Sequence, residues 1–200
     1  MSDPVTEVQW NKIHEGVKTV SSNARFKLTQ YNYVHQVYLT PKRLHTIYSD
    51  RNLACPRCGE TVADFIHMTW ACPVIDEYWR LVIEKLSQLT EWNIPLEMKV
   101  ILLGLLPSPK QKKLTRKFIM LGLVLAKRRI AIRWLSKNPP RIEDWLRDMI
   151  EWSIAEEVHM KKIRKDDKRE TDILAWGTLV EALNIQGGPE STGEAERAEQ

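Results

Sequence analysis

Cysteine is scarce in this chain: 200 residues hold three, all between positions 55 and 72. With no cysteine elsewhere to pair with, a disulfide framework is excluded, and the thiols are expected to be reduced in an intracellular protein of the nucleus or cytoplasm. No glycine-rich phosphate loop and no H-E-x-x-H pair is present, so nucleotide and metalloprotease chemistry have no motif to rest on. The paired carboxylates Asp166-Asp167 lie in a charge run, Lys-Ile-Arg-Lys-Asp-Asp-Lys-Arg, and not at the end of an apolar strand as a polymerase pair would. No enzymatic activity is expected. Long apolar runs are missing too: Val100 to Leu106 and Phe118 to Ala126 are each too short to span a bilayer, and the polar start, Met1 to Glu7, reads as no secretory signal.

What is present is a ligand set. Cys55, Cys58, His67 and Cys72 form C-x2-C-x8-H-x4-C, the donor types and spacing of a closed structural zinc site. Zn²⁺ imposes no geometry through d electrons, so thiolates at about 2.3 Å and an imidazole at about 2.0–2.1 Å define its tetrahedron. Two cysteines two residues apart reach one ion only across a tight turn, and Pro56 and Gly59 supply it, one by fixing φ and the other by tolerating positive φ. Pro73 follows Cys72 and suits the first position of a helix, whose dipole would favour a thiolate at the cap. A redox dithiol is the competing reading of C-x-x-C. It expects a helix after the second cysteine, and the polar stretch Gly59 to Asp64 is turn-like instead. His14, His35, His45 and His159 read as surface or packing residues.

The formal charge of +4 hides its distribution: between Met98 and Ile142 there are twelve basic residues and no acidic one. Such a block is the electrostatic footprint of a polyanion. Arg43, Arg51 and Arg57 near the cysteines, with Lys113, Arg116, Lys117, Lys127, Arg128, Arg129 and Arg133, are the candidate nucleic-acid contacts. An ordinary solvated helix face is the competing reading. The pattern is mainly α, an irregular helical bundle with a small CCHC zinc-knuckle-like lobe. Helices are expected over 25–39, 42–48, 73–90, from Pro95 to near Leu106, over 110–136 and over 141–163. The segments divide as an N-terminal helical arm (1–50), the zinc lobe (51–80), a bundle carrying the basic helix (81–185) and a disordered tail (186–200). Among the eight tryptophans, Trp79, Trp134, Trp145 and Trp152 sit in helical patterns and read as core. Trp70, inside the metal loop, either packs on the following helix or stacks on a base, packing being favoured.

Several runs together resemble a known family. Asn23 to Leu44, Cys55-Pro-Arg-Cys-Gly59, His67-Met-Thr-Trp-Ala-Cys-Pro73, Tyr78-Trp79, Leu102-Leu-Gly-Leu105, Lys127 to Trp134 and Pro139 to Trp145 are similar, in this order, to the region that follows the reverse transcriptase domain in the second-reading-frame protein of LINE-type non-LTR retrotransposons. The likeness covers roughly residues 8 to 160, and the family's cysteine motif also ends in H-x4-C. It implies zinc as cofactor and element RNA, with single-stranded or target DNA, as partner, beside an upstream reverse transcriptase core. The polymerase aspartates and the endonuclease have no counterpart here, so the resemblance implies a C-terminal fragment, a truncated genomic copy or a host gene derived from one. The alternative is a helical interaction or scaffold module that docks Val100 to Leu106 on a partner, or a retroelement fragment without function.

Overall fold

The computed structural model describes residues 4–107, 113–163 and 170–187. The expectations that fall on Lys110, Lys112, Asp166-Asp167 and the tail from 188 onward lie outside these residues. Among the described residues there is no β-strand, and the chain is an irregular helical bundle. No helix among them is long and apolar enough to cross a membrane.

Helix α1 (Glu7–Thr19) opens on a capping box in which Thr6 and Gln9 satisfy each other's amides. Asn23 caps α2 (Ala24–Val34), and Thr40 caps α3 (Pro41–Ile47), with Pro41 in the first turn. A five-residue π-helical turn (His67–Ala71) leads directly into α4 (Pro73–Thr90). A single turn, α5 (Met98–Ile101), follows, then α6 (Lys113–Ile132), α7 (Ile142–Ile163) and α8 (Glu170–Gly187).

Several expectations differ from the structure, and helix α6 ends at Ile132 and not at Ser136. Helix α2 stops at Val34 because Gln36 takes φ of 51°, so Val37 is exposed and not on a buried face. Pro95 opens no long helix: only Met98–Ile101 is helical, and Gly104 at φ of 77° turns the chain away. On α7, Trp145 and Met149 are buried, but Ile154 faces solvent. Helices α1 and α8 were not anticipated.

The middle of α6 is the axis of the molecule. Phe118, Ile119, Leu121 and the run through Ala126 are buried, with α2, α4, α7 and α8 packed around them. The three largest buried side chains, Trp79, Trp145 and Trp176, each donate the indole N–H to a carbonyl, those of Thr69, Gly122 and Ser153, all at 2.9 Å. Val100, Ile101, Leu102 and Leu106 are buried in the same core, which removes them as a docking surface. One continuous apolar cluster runs from Val20 through Cys72 and Trp79 to Leu183.

Charge is consumed inside the bundle as well. Glu156 accepts from Ser21 and Ser22 and pairs with Lys117 at 2.8 Å, pinning the α1–α2 corner to α6 and α7. Burial alone would raise its pKa, but these donors hold it below the ordinary carboxylate value. Asp148 likewise binds Arg129 through two oxygens and Arg128 at 3.2 Å.

Candidate metal centre

The metal loop is a short hairpin joined to a π turn. Ala63 N–H donates to the Leu53 carbonyl at 2.9 Å and Cys55 N–H to Glu60 at 2.8 Å, so the arms pair without forming a strand. Gly59, at φ of 78°, closes the tip, and its amide donates to Cys55 at 3.0 Å. This is the turn that Pro56 and Gly59 foretell.

The H-x4-C half is closed by backbone geometry. Asp64 receives the amides of His67 and Met68 at 2.9 Å each, starting the turn, and Cys72 N–H donates to the His67 carbonyl at 3.0 Å. That last bond is the i→i+5 pattern of a π turn. On an ideal α-helix, residues five apart point about 140° away from each other. The wider turn brings His67 and Cys72 back to one side. Widening frees carbonyls, and two are taken up at once: Trp79 donates to Thr69, and Arg57 Nη1 to Met68 at 3.0 Å.

The four donor atoms of Cys55, Cys58, His67 and Cys72 all lie within 4.8 Å of one another, with Cys58 Sγ and His67 Nε2 at 3.3 Å. A tetrahedral ion held by thiolates and imidazole requires donors about 3.5–3.8 Å apart, from metal–ligand bonds of about 2.0–2.3 Å. The cluster meets that requirement with small side-chain shifts. It can hold a metal ion. No protein-family model matches this sequence.

The environment of the donors is uneven. Cys55 and Cys72 are buried and Cys58 is exposed. Burial pushes the Cys72 thiol up to about 11, and the amides of Ile75 and Val74 at the start of α4 pull the other way without outweighing it. The helix N-terminus therefore does not by itself make Cys72 a thiolate, and no side-chain cap bond forms there. For Cys55, burial also raises the pKa, but the amides of Cys58 and Arg57 and the neighbouring thiols bring it below the ordinary value. A metal ion must displace protons from this cluster, so uptake releases acid.

The basic candidates scatter into different roles. Arg57 points inward, with Nη2 on the Arg133 and Trp134 carbonyls at 3.3 and 3.1 Å. Burial draws its pKa down, opposed by Cys55, Cys72, Tyr33 and Cys58. Lys127 has no exposed surface, and its ammonium sits on Gln30 Oε1 at 2.6 Å, so it cannot reach a phosphate. Lys117, Arg128 and Arg129 are held in the ion pairs on Glu156 and Asp148. Arg43 gives its guanidinium to the Gln36 and Tyr38 carbonyls at 2.5 and 3.3 Å. Lys113, Arg116 and Lys117 are among the residues lining a cleft of about 840 Å³ shared with α1, α7 and α8, where Arg116 also holds the Pro107 carbonyl at 2.8 Å. Arg51 is exposed in the metal lobe, and Arg133, whose carbonyl accepts from Arg57, is half-buried. Lys42 on α3 and Tyr48 next to it are exposed as well. Trp70 is half-buried and packs against the core cluster, as favoured above.

Proposed function

We propose that this chain is a zinc-binding module that binds nucleic acid, RNA foremost, in the manner of the C-terminal region of non-LTR retrotransposon reverse transcriptases. The observation that carries the reading is the convergence of three thiols and one imidazole. That donor set favours zinc over harder ions, and four protein donors leave no open position for a reacting water, so the ion is structural and the chain non-catalytic. Zinc uptake fixes the hairpin and π turn, and these hold the exposed face of the lobe.

Lys42, Arg51 and Arg133 supply phosphate contacts around that lobe, and the exposed ring of Tyr48 offers a stacking surface for an unpaired base. Binding is then mainly electrostatic and weakens steeply with salt. The buried or paired cations Lys127, Arg128 and Arg129 act on stability instead. The test is a salt series of single-stranded RNA and DNA binding by the zinc-loaded chain, with Arg51→Glu and Arg133→Glu beside His67→Ala. Weaker binding by all three, with a shallower salt slope for the two arginine variants, is the expected result. No binding at low salt would sink the nucleic-acid reading and favour a scaffold role, for which the exposed Val37, Leu39, Ile47 and Leu135 provide apolar surface.

A further inference from the structure

Arg57 lies inside the first chelate turn, between Cys55 and Cys58, and its guanidinium faces the interior. Nη1 holds the Met68 carbonyl of the π turn, and Nη2 holds the Arg133 and Trp134 carbonyls just past the last turn of α6. Nε is buried and has no acceptor. Backbone carbonyls satisfy N–H groups but cancel no charge, and a half-buried cation without an anion is costly. Arg57 stands two residues after Cys55 and one before Cys58, with Nη1 on the carbonyl of the residue that follows His67, so the ligand thiols lie closest to the cation along the chain, and the buried Tyr33 ring acts on it as well. Tyr33 is a fully buried phenol whose pKa burial raises well above the ordinary value, so it stays neutral. Among the described residues, the cysteines are the groups that can supply the negative charge.

The arithmetic of a loaded site is specific. Three thiolates, a neutral imidazole and a divalent ion sum to one negative charge, which a single guanidinium cancels. Arg57 also sits at the carbonyl end of α6, where the helix dipole favours a cation.

We infer that Arg57 is a positioning residue that neutralises the metal-loaded cluster and ties it to the end of α6, so that metal occupancy sets the order of residues 133–136. This rests on the metal-binding reading above. The link reaches further, because Trp134 donates to the Leu39 carbonyl at 2.7 Å and packs on Tyr38, so the exposed segment around Leu39 is held by the same latch. Coupling of this kind is reciprocal: what the ion does for the segment, the segment does for ion affinity.

The experiment measures zinc affinity of the full chain by competition with a chromophoric chelator, for the native protein, Arg57→Gln, Arg57→Lys and, as a control at an exposed arginine of α2, Arg25→Gln. Alongside it, amide exchange is followed at Trp134 and Ser136, which donate to Ala131 and Arg133, with zinc bound and after chelation. Arg57→Gln should bind zinc at least about tenfold more weakly, the usual size of a loss beyond the ligands themselves. Arg57→Lys restores charge without the fork, so it should recover most of the affinity but not the slow exchange. Arg25→Gln should change neither. Chelation should speed exchange at Trp134 and Ser136 in the native chain and add nothing in Arg57→Gln. If Arg57→Gln holds zinc as tightly as the native chain, or if chelation affects 133–136 equally in both, the role of Arg57 is overturned while the metal site stands. A native chain that takes up no zinc overturns the metal reading and this inference with it. Should Arg57→Gln not fold, Arg57→Lys decides: native affinity together with native exchange would refute the tether.

Discussion

At the scale of single residues, charge in this sequence is a poor guide to surface. Lys127 is the sharpest case: an ammonium with no exposed area, one acceptor in Gln30, and the Tyr33 ring 5.9 Å away. Burial brings its pKa from 10.5 down to about 7. Between those values the unfolded chain binds more protons than the folded one, so stability should rise as pH climbs from about 7 to about 10, by at most about 1.4 kcal/mol per pH unit. Lys127→Met, which cannot titrate, should lack that rise. Denaturant unfolding of both zinc-loaded proteins at several pH values in this window isolates the effect, and parallel pH profiles would refute it. Nothing local announces the burial, because the partner Gln30 is 97 residues away. Arg57 is turned inward by similarly distant partners, its acceptors in Arg133 and Trp134 lying 76 and 77 residues along the chain.

At the scale of elements, what was legible is what punctuation and periodicity encode. Pro73 and an apolar face running through Tyr78, Trp79, Val82, Ile83, Leu86 and Leu89 define α4, and its bounds agree with the expectation. Helix α8 escaped because its apolar residues are spread around the helix, and α1 because it buries only Ile13. The π turn was not legible at all. Its existence depends on partners for freed carbonyls, and Trp79 is one of them, so Trp79→Phe tests the element directly. That change strips the donor from the Thr69 carbonyl of a fully buried residue, and should cost about 1–3 kcal/mol, with further loss from the smaller ring. Because Thr69 lies between His67 and Cys72, zinc affinity should fall with stability. A variant that loses stability but keeps native zinc affinity would show that the turn holds its shape without the indole.

At the scale of the molecule, the question is how far loss of metal spreads. The four donors are readable from spacing alone, and the zinc lobe assigned from sequence spans residues 51–80. Packing sets a narrower limit. Ile75 and Trp79 have no exposed surface and Tyr78 very little, and all three belong to the core cluster around α6, whereas residues 53–62 include no fully buried apolar side chain and only Cys55 among the buried ones. Metal-binding energy is folding energy only where no other contacts hold the chain. Chelation should therefore speed amide exchange across residues 53–62 and at Trp134 and Ser136, while amides from Ile75 to Leu89 and in the middle of α6 stay slow, with little loss of helical signal. Reloading with zinc should reverse the change and release protons, because the buried Cys72 thiol is protonated in the metal-free protein at neutral pH. Melting of α4 and α6 on chelation would mean that the lobe nucleates the bundle. Unchanged exchange at 53–62 would mean that no structural ion sits among these four side chains.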